Sequence, residues 1–139
     1  IHYITAKEID NAKNYLKEKI NSEKIVSLIL GGPNKYYSFK SDQIINIFNQ
    51  IKSIFVSDGY KVIIIPSMRT PKKIIDLAER EMSSCGYVVN KVDKQAYLSA
   101  YALANYVIVT CDSTSMISEA ATSGKPIFVA HMKAKKKQL

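Results

Sequence analysis

The chain has 139 residues and a net charge of +8, a length that supplies one ordinary hydrophobic core and not two. Nearly half of the residues are apolar, which sets aside intrinsic disorder, and no apolar run approaches the roughly 18 residues that a membrane-spanning helix needs. Half of the net charge comes from Lys133, Lys135, Lys136 and Lys137, so the body is only mildly basic and no nucleic-acid partner is expected.

The first element is marked by a capping box. Thr5 stands at the N-cap and Glu8 three residues on, followed by Ile9, Ala12, Leu16 and Ile20 at helical spacing. Residues 1–22 therefore read as an amphipathic leading helix, and residues 23–139 as a separate α/β domain.

From Lys24 onward apolar runs alternate with helical patterns. KIVSLIL is a first strand ending at Gly31, and GGPNKYYSFK is the loop into a helix from Ser41 with Ile44, Phe48, Ile51 and Phe55 on its apolar face, closed near Gly59. KVIIIP (61–66) is a second strand, its continuous apolar run fitting a strand covered on both faces. Thr70 and Pro71 fit the N-cap and first turn of the next helix, with Ile74, Ala78 and Met82 inside and Gly86 as its stop. YVVNKV is a short third strand, QAYLSAYALA a helix, YVIVTC the fourth strand, STSMISEAATSG a helix and IFVA the fifth strand. This alternation predicts a Rossmann-like, doubly wound parallel sheet of about five strands, with 3-2-1-4-5 as the default order. After IFVA the chain runs out in HMKAKKKQL without a helix to cover the last strand, which reads as a piece of a longer protein. The closing lysines read as a solvated helix start or as a contact for an anionic membrane surface.

Several residue types are set aside. Cys85 and Cys111 lie on separate elements without metal-ligand spacing, and with no secretory pattern at the start they read as buried thiols in a cytoplasmic setting. His2 and His131 have no acidic or Cys neighbours, so neither receives a catalytic or metal role. The expectation is a site without metal or cofactor: GxGxxG is absent, Pro33 removes an N–H that a phosphate cradle would use, and no G-x-S-x-G elbow surrounds a serine.

In open parallel sheets ligands bind beyond the carboxyl ends of the strands, where the strand order reverses. The default order places GGPN and CDSTS on opposite sides of that crevice. Gly31 and Gly32 either admit the backbone close to a ligand or form a plain turn, and Asn34 offers an amide. Asp112 or Ser113 caps the following helix, whose free N–H groups, beside Ser113, Thr114 and Ser115, suit a phosphate. At 100° per residue Met116, Ile117, Ala120 and Ala121 share one side, and Ser115, Ser118, Glu119 and Thr122 the other. Glu119 is then either a solvated surface carboxylate or the acceptor of ribose hydroxyls, about one turn (~5.4 Å) past the phosphate. Arg69, Lys72 and Lys73 could meet an anion, Arg69 best because its fork matches phosphate, although Lys72 and Lys73 read first as two solvated lysines. The Tyr-rich stretches KYY and AYLSAY are either packing residues or base-stacking ones.

LILGGPNKYYSF, PSMRTP and VTCDSTSMISEAATSGKP, in that order, resemble the C-terminal half of the bacterial and plant family named for the elongated-mitochondria fission factor. That family is similar to GT-B glycosyltransferases, in which two Rossmann-like domains face each other and the C-terminal one holds a nucleotide-diphosphate sugar. The resemblance implies diphosphate contacts at Ser113, Thr114 and Ser115, a wall near the donor phosphates at Gly31 and Gly32, a ribose contact at Glu119, and for Arg69 either a donor-phosphate contact or a structural ion pair; Asn34, for its amide, is expected among the diphosphate contacts. It also implies a missing N-terminal, acceptor-binding domain as a partner. The lone domain is then expected to bind donor without turning it over.

Overall fold

Strands covered on both faces feed two cores at once, because alternate side chains leave opposite faces of the sheet. In the computed structural model, which describes residues 4–110 and 114–135, this happens in β1 (Ile25–Ile29), β2 (Lys61–Ile65) and β4 (Tyr106–Thr110). Ile25, Ile29, Ile63, Ile65, Val107 and Val109 enter one core. Val26, Leu28, Val62, Ile64 and Ile108 enter the other. Each fully buried Ile or Val contributes about 1.5–3 kcal/mol relative to exposure. With β3 (Gly86–Val88) and β5 (Ile127–Ala130), the sheet is parallel throughout and has the order β3-β2-β1-β4-β5, as the alternation predicts.

The second face is covered by α3 (Ser41–Ile54) and α4 (Lys72–Met82), the first by α5 (Lys94–Leu103) and α6 (Thr114–Thr122). α3 begins where Gln43 Oε1 accepts from the Lys40 amide at 2.9 Å. A short 3₁₀ turn extends α3 to Gly59, which closes it at φ +88°, a left-handed conformation that favours glycine. α4 starts one residue later than expected, with Pro71 in the N-cap position. The Thr70 hydroxyl is engaged elsewhere, accepting from the Ser67 amide at 2.9 Å and donating to the Gly31 carbonyl at 2.5 Å. Gly86 does not stop α4 but opens β3, where a Cβ would lie 1.9 Å from the Val62 carbonyl oxygen.

The leading helix is in two pieces, α1 (Ala6–Asn11) and α2 (Asn14–Lys17). The capping box of Thr5 and Glu8 is formed. The break comes from Ser99 of α5, whose hydroxyl accepts from the Leu16 amide and donates to the Lys13 carbonyl, both at 3.1 Å. A side chain inserted into the i→i−4 ladder interrupts a helix in this way. Ile9, Ala12, Leu16 and Ile20 belong to the same core as α5, so the leading residues pack onto the sheet domain.

Residues 133–135 do not start a helix. They run antiparallel to residues 36–38, with Ser38 N–H donating to the Lys133 carbonyl at 2.9 Å and Lys135 N–H to the Tyr36 carbonyl at 2.8 Å. Between α3 and β5 the second face keeps an apolar groove of about 650 Å³, floored by Ile47, Ile51, Phe55, Ile108, Phe128 and Met132.

Candidate functional site

Strand order reverses between β1 and β4, so the loops leaving these strands meet at the carboxyl edge of the sheet. Two buried threonines tie them together. The Gly31 N–H donates to Thr110 Oγ1 at 2.9 Å, and the Gly31 carbonyl accepts from Thr70 Oγ1 at 2.5 Å. Both backbone groups of Gly31 are thus satisfied within the fold. Gly32 faces the backbone of Arg69, where a Cβ would stand 2.1 Å from the Arg69 carbonyl oxygen. Arg69 returns a hydrogen bond from its guanidinium to the Gly32 carbonyl at 3.1 Å. Asn34 Oδ1 accepts from the amides of Tyr36 and Tyr37, each at 2.8 Å, an Asx turn that shapes the loop. Gly32 and Arg69 are thus held in close contact between two loops, and Asn34 by a turn within its own loop.

Thr114 and Ser115 are exposed in the first turn of α6. Cys111, Asp112 and Ser113, the expected strand end and cap, lie outside the described residues. On α6, Met116 and Ala120 are buried as expected, whereas Ala121 is exposed and Glu119 is half-buried. The inward face is therefore rotated toward α5, and Glu119 sits on its flank.

That rotation places Glu119 in the wall of a hollow of about 240 Å³ at the carboxyl edge, with Ile29 from the end of β1 and Ser67 and Met68 from the loop after β2. Asp93 and Lys94 at the start of α5, and Tyr97 one turn on, complete its polar rim. Glu119 Oε1 accepts from the Tyr97 hydroxyl at 2.9 Å, and the Tyr97 oxygen accepts from the Tyr101 hydroxyl at 2.8 Å. The two rings pack edge to face at 4.8 Å between centroids. Burial pushes both phenols far above the ordinary tyrosine range, with the neighbouring Glu119 charge acting in the same direction. Both therefore remain protonated donors at any physiological pH.

Asp93 holds the start of α5, its Oδ1 accepting from Gln95 N–H at 3.0 Å and Ala96 N–H at 3.3 Å. Its Oδ2 accepts from the Tyr15 hydroxyl at 2.6 Å, and that hydrogen bond holds the carboxyl below the ordinary aspartate range against an opposing desolvation effect. Tyr15, Asp93 and the hollow are thereby linked to the leading helices. Among the described residues no group of three or more His, Cys, Asp or Glu side chains could hold a metal ion.

Of the expected ligand contacts, Gly31, Gly32, Asn34 and Arg69 form one braced loop pair, while Glu119 opens into the hollow beside Ser67, Lys94 and Tyr97. Ser67 and Lys94 carry no sequence signal, and Tyr97 falls in the stretch AYLSAY read as packing or base-stacking residues. A further signal for Tyr97 is its placement four residues before Tyr101, on one face of α5.

A family model described as Mitochondrial fission ELM1 matches residues 1–139. The chain belongs to the mitochondrial fission ELM1 family. The chain is 29% identical over 133 residues to Uncharacterized protein RP120 of Rickettsia prowazekii (strain Madrid E), covering 93% of this chain and 38% of that protein. It is 27% identical over 107 residues to Mitochondrial fission protein ELM1 of Arabidopsis thaliana, covering 76% of this chain and 25% of that protein. The chain thus spans well under half the length of these relatives. No helix among the described residues is long and apolar enough to cross a membrane.

Proposed function

We propose that this ELM1-family domain binds a nucleotide-diphosphate sugar, as the donor-binding half of a GT-B-like glycosyltransferase. The observation that carries the reading is Glu119. Exposed carboxylates normally point into solvent, but this one is half-buried, braced by Tyr97 and placed in a hollow at the carboxyl edge of a parallel sheet. Such an acceptor suits the hydroxyls of a ribose, and the apolar walls from Ile29, Met68 and Met116 suit a base or sugar face. The diphosphate would lie against the first turn of α6, where backbone N–H groups, Thr114 and Ser115 would meet it, with Arg69 and the Gly31–Asn34 loop as the opposite wall. In a complete enzyme these donors would stabilise the charge that develops on the leaving diphosphate.

Calorimetry with UDP-, GDP- and ADP-sugars on the complete protein tests the reading. At least one should bind, and Glu119→Ala should weaken it by roughly tenfold or more, as expected for loss of a charge-assisted hydrogen bond. Absence of binding, or binding indifferent to Glu119→Ala, would refute it.

A second reading, a non-catalytic adaptor of the fission family, is favoured by the uncovered groove between α3 and β5, where Phe128 is 49% exposed and Ile54 62% exposed. Co-sedimentation with anionic liposomes, with and without residues 133–139, separates a membrane contact from protein contacts: loss on truncation supports the former.

A further inference from the structure

The carboxylate that the proposed function relies on does not stand alone, and the chemistry behind it assigns a role to a tyrosine. We infer that Tyr97 is the positioning residue for Glu119, and that the Tyr101–Tyr97–Glu119 relay holds one carboxylate oxygen so that the other can accept a ligand hydroxyl; this rests on the nucleotide reading above.

Three observations carry it. The relay runs in one direction: Tyr101 donates to Tyr97 at 2.8 Å and Tyr97 donates to Glu119 Oε1 at 2.9 Å. The Tyr97 proton is thus spent on Glu119, so Tyr97 has no donor left for a ligand. Among the described residues, Oε2 of Glu119 has no partner, while Glu119 and Tyr97 both line the hollow. Finally, Tyr101 is fully buried and its ring packs against that of Tyr97, which fixes the origin of the relay in the core. A long, flexible Glu side chain loses rotamer freedom when it binds, and a pre-formed hydrogen bond removes part of that cost before the ligand arrives.

The consequence is a preference for ligands with a free hydroxyl at the position Glu119 reads. A ribonucleotide should depend on Tyr97, and its 2′,3′-dideoxy counterpart, with nothing to donate to Oε2, should not. A merely structural tyrosine would affect both equally.

Two measurements on the complete protein decide it. In ligand-free crystals, Glu119 should occupy one rotamer in the wild type and leave it or split in Tyr97→Phe, with the rings of residues 97 and 101 unmoved. An unchanged Glu119 rotamer overturns the inference whatever binds. By calorimetry, Tyr97→Phe should weaken the ribonucleotide sugar roughly three- to tenfold and leave the dideoxy form unchanged. Equal losses on both ligands, or on neither, overturn it as well. If the wild type binds none of the nucleotides, the nucleotide reading fails and the rotamer result alone judges Tyr97. Should Tyr97→Phe fold poorly, Tyr101→Phe removes the donor behind Tyr97 and carries the same two readouts at about twofold amplitude.

Discussion

Replacing Gly32 by Ala adds one methyl group at a place where the fold has no room. The new Cβ would lie 2.1 Å from the Arg69 carbonyl oxygen and 2.5 Å from its carbon, so the two loops must separate by roughly 1.5 Å to reach ordinary contact. They cannot separate freely. Thr70 Oγ1 is bonded to the Gly31 carbonyl at 2.5 Å, Arg69 to the Gly32 carbonyl at 3.1 Å, and Leu30 N–H to the Ile65 carbonyl at 2.8 Å. Overpacking costs about 1–3 kcal/mol, and one or two strained hydrogen bonds add about 0.5–1.5 kcal/mol each. The expected loss is therefore roughly 2–5 kcal/mol, about a 1–2 M shift in urea midpoint at ordinary m-values. Gly124→Ala is the internal control: at φ +72° with nothing within 4 Å, it incurs only left-handed strain, about 1–2 kcal/mol. Equilibrium urea unfolding of both variants without ligand gives the comparison. A Gly32→Ala chain as stable as wild type would refute the view that this glycine serves loop packing.

Ser99→Ala should destabilise by about 1–3 kcal/mol, because it strips partners from the Leu16 amide and the Lys13 carbonyl; a structure of the variant with α1 and α2 fused into one helix would confirm why they part. Asp93 has a folded pKa below its unfolded value of about 3.9, so its contribution is complete above that pH and is lost as pH falls through the lower folded value. The stability advantage of wild type over Asp93→Asn should accordingly shrink below about pH 4, and a constant difference between pH 7 and pH 2 in urea titrations would contradict the Tyr15 contact. Tyr15→Phe should reduce the same acid-sensitive difference without altering the N-cap bonds from Asp93.

The sheet was legible because its signals are local. Continuous apolar runs in β1, β2 and β4 announce strands buried on both faces, and the alternation with amphipathic helices leaves few topologies. The capping box at Thr5 and Glu8 is likewise a four-residue signal, and it forms as read. What escaped depends on distant partners. The break between α1 and α2 is made by a hydroxyl 83 positions along the chain, and the engagement of Thr70 with Gly31 spans 39. Thr70 fits a local N-cap pattern, but a long-range acceptor won. At the site, the phase of α6 was nearly right. A periodicity argument places Glu119 opposite the core, yet α5 wraps round that flank and supplies Tyr97, a contact no helical wheel of α6 contains.

The central claim is a location: a nucleotide with its ribose on Glu119 and its diphosphate at the opening of α6. A structure of the complete protein with a bound nucleotide-diphosphate sugar measures it directly. The account predicts a ribose hydroxyl within about 3 Å of the Glu119 carboxylate, inside the hollow shared with Tyr97 and Met68. A nucleotide seated in the groove between α3 and β5, or with its ribose turned away from Glu119, would contradict it.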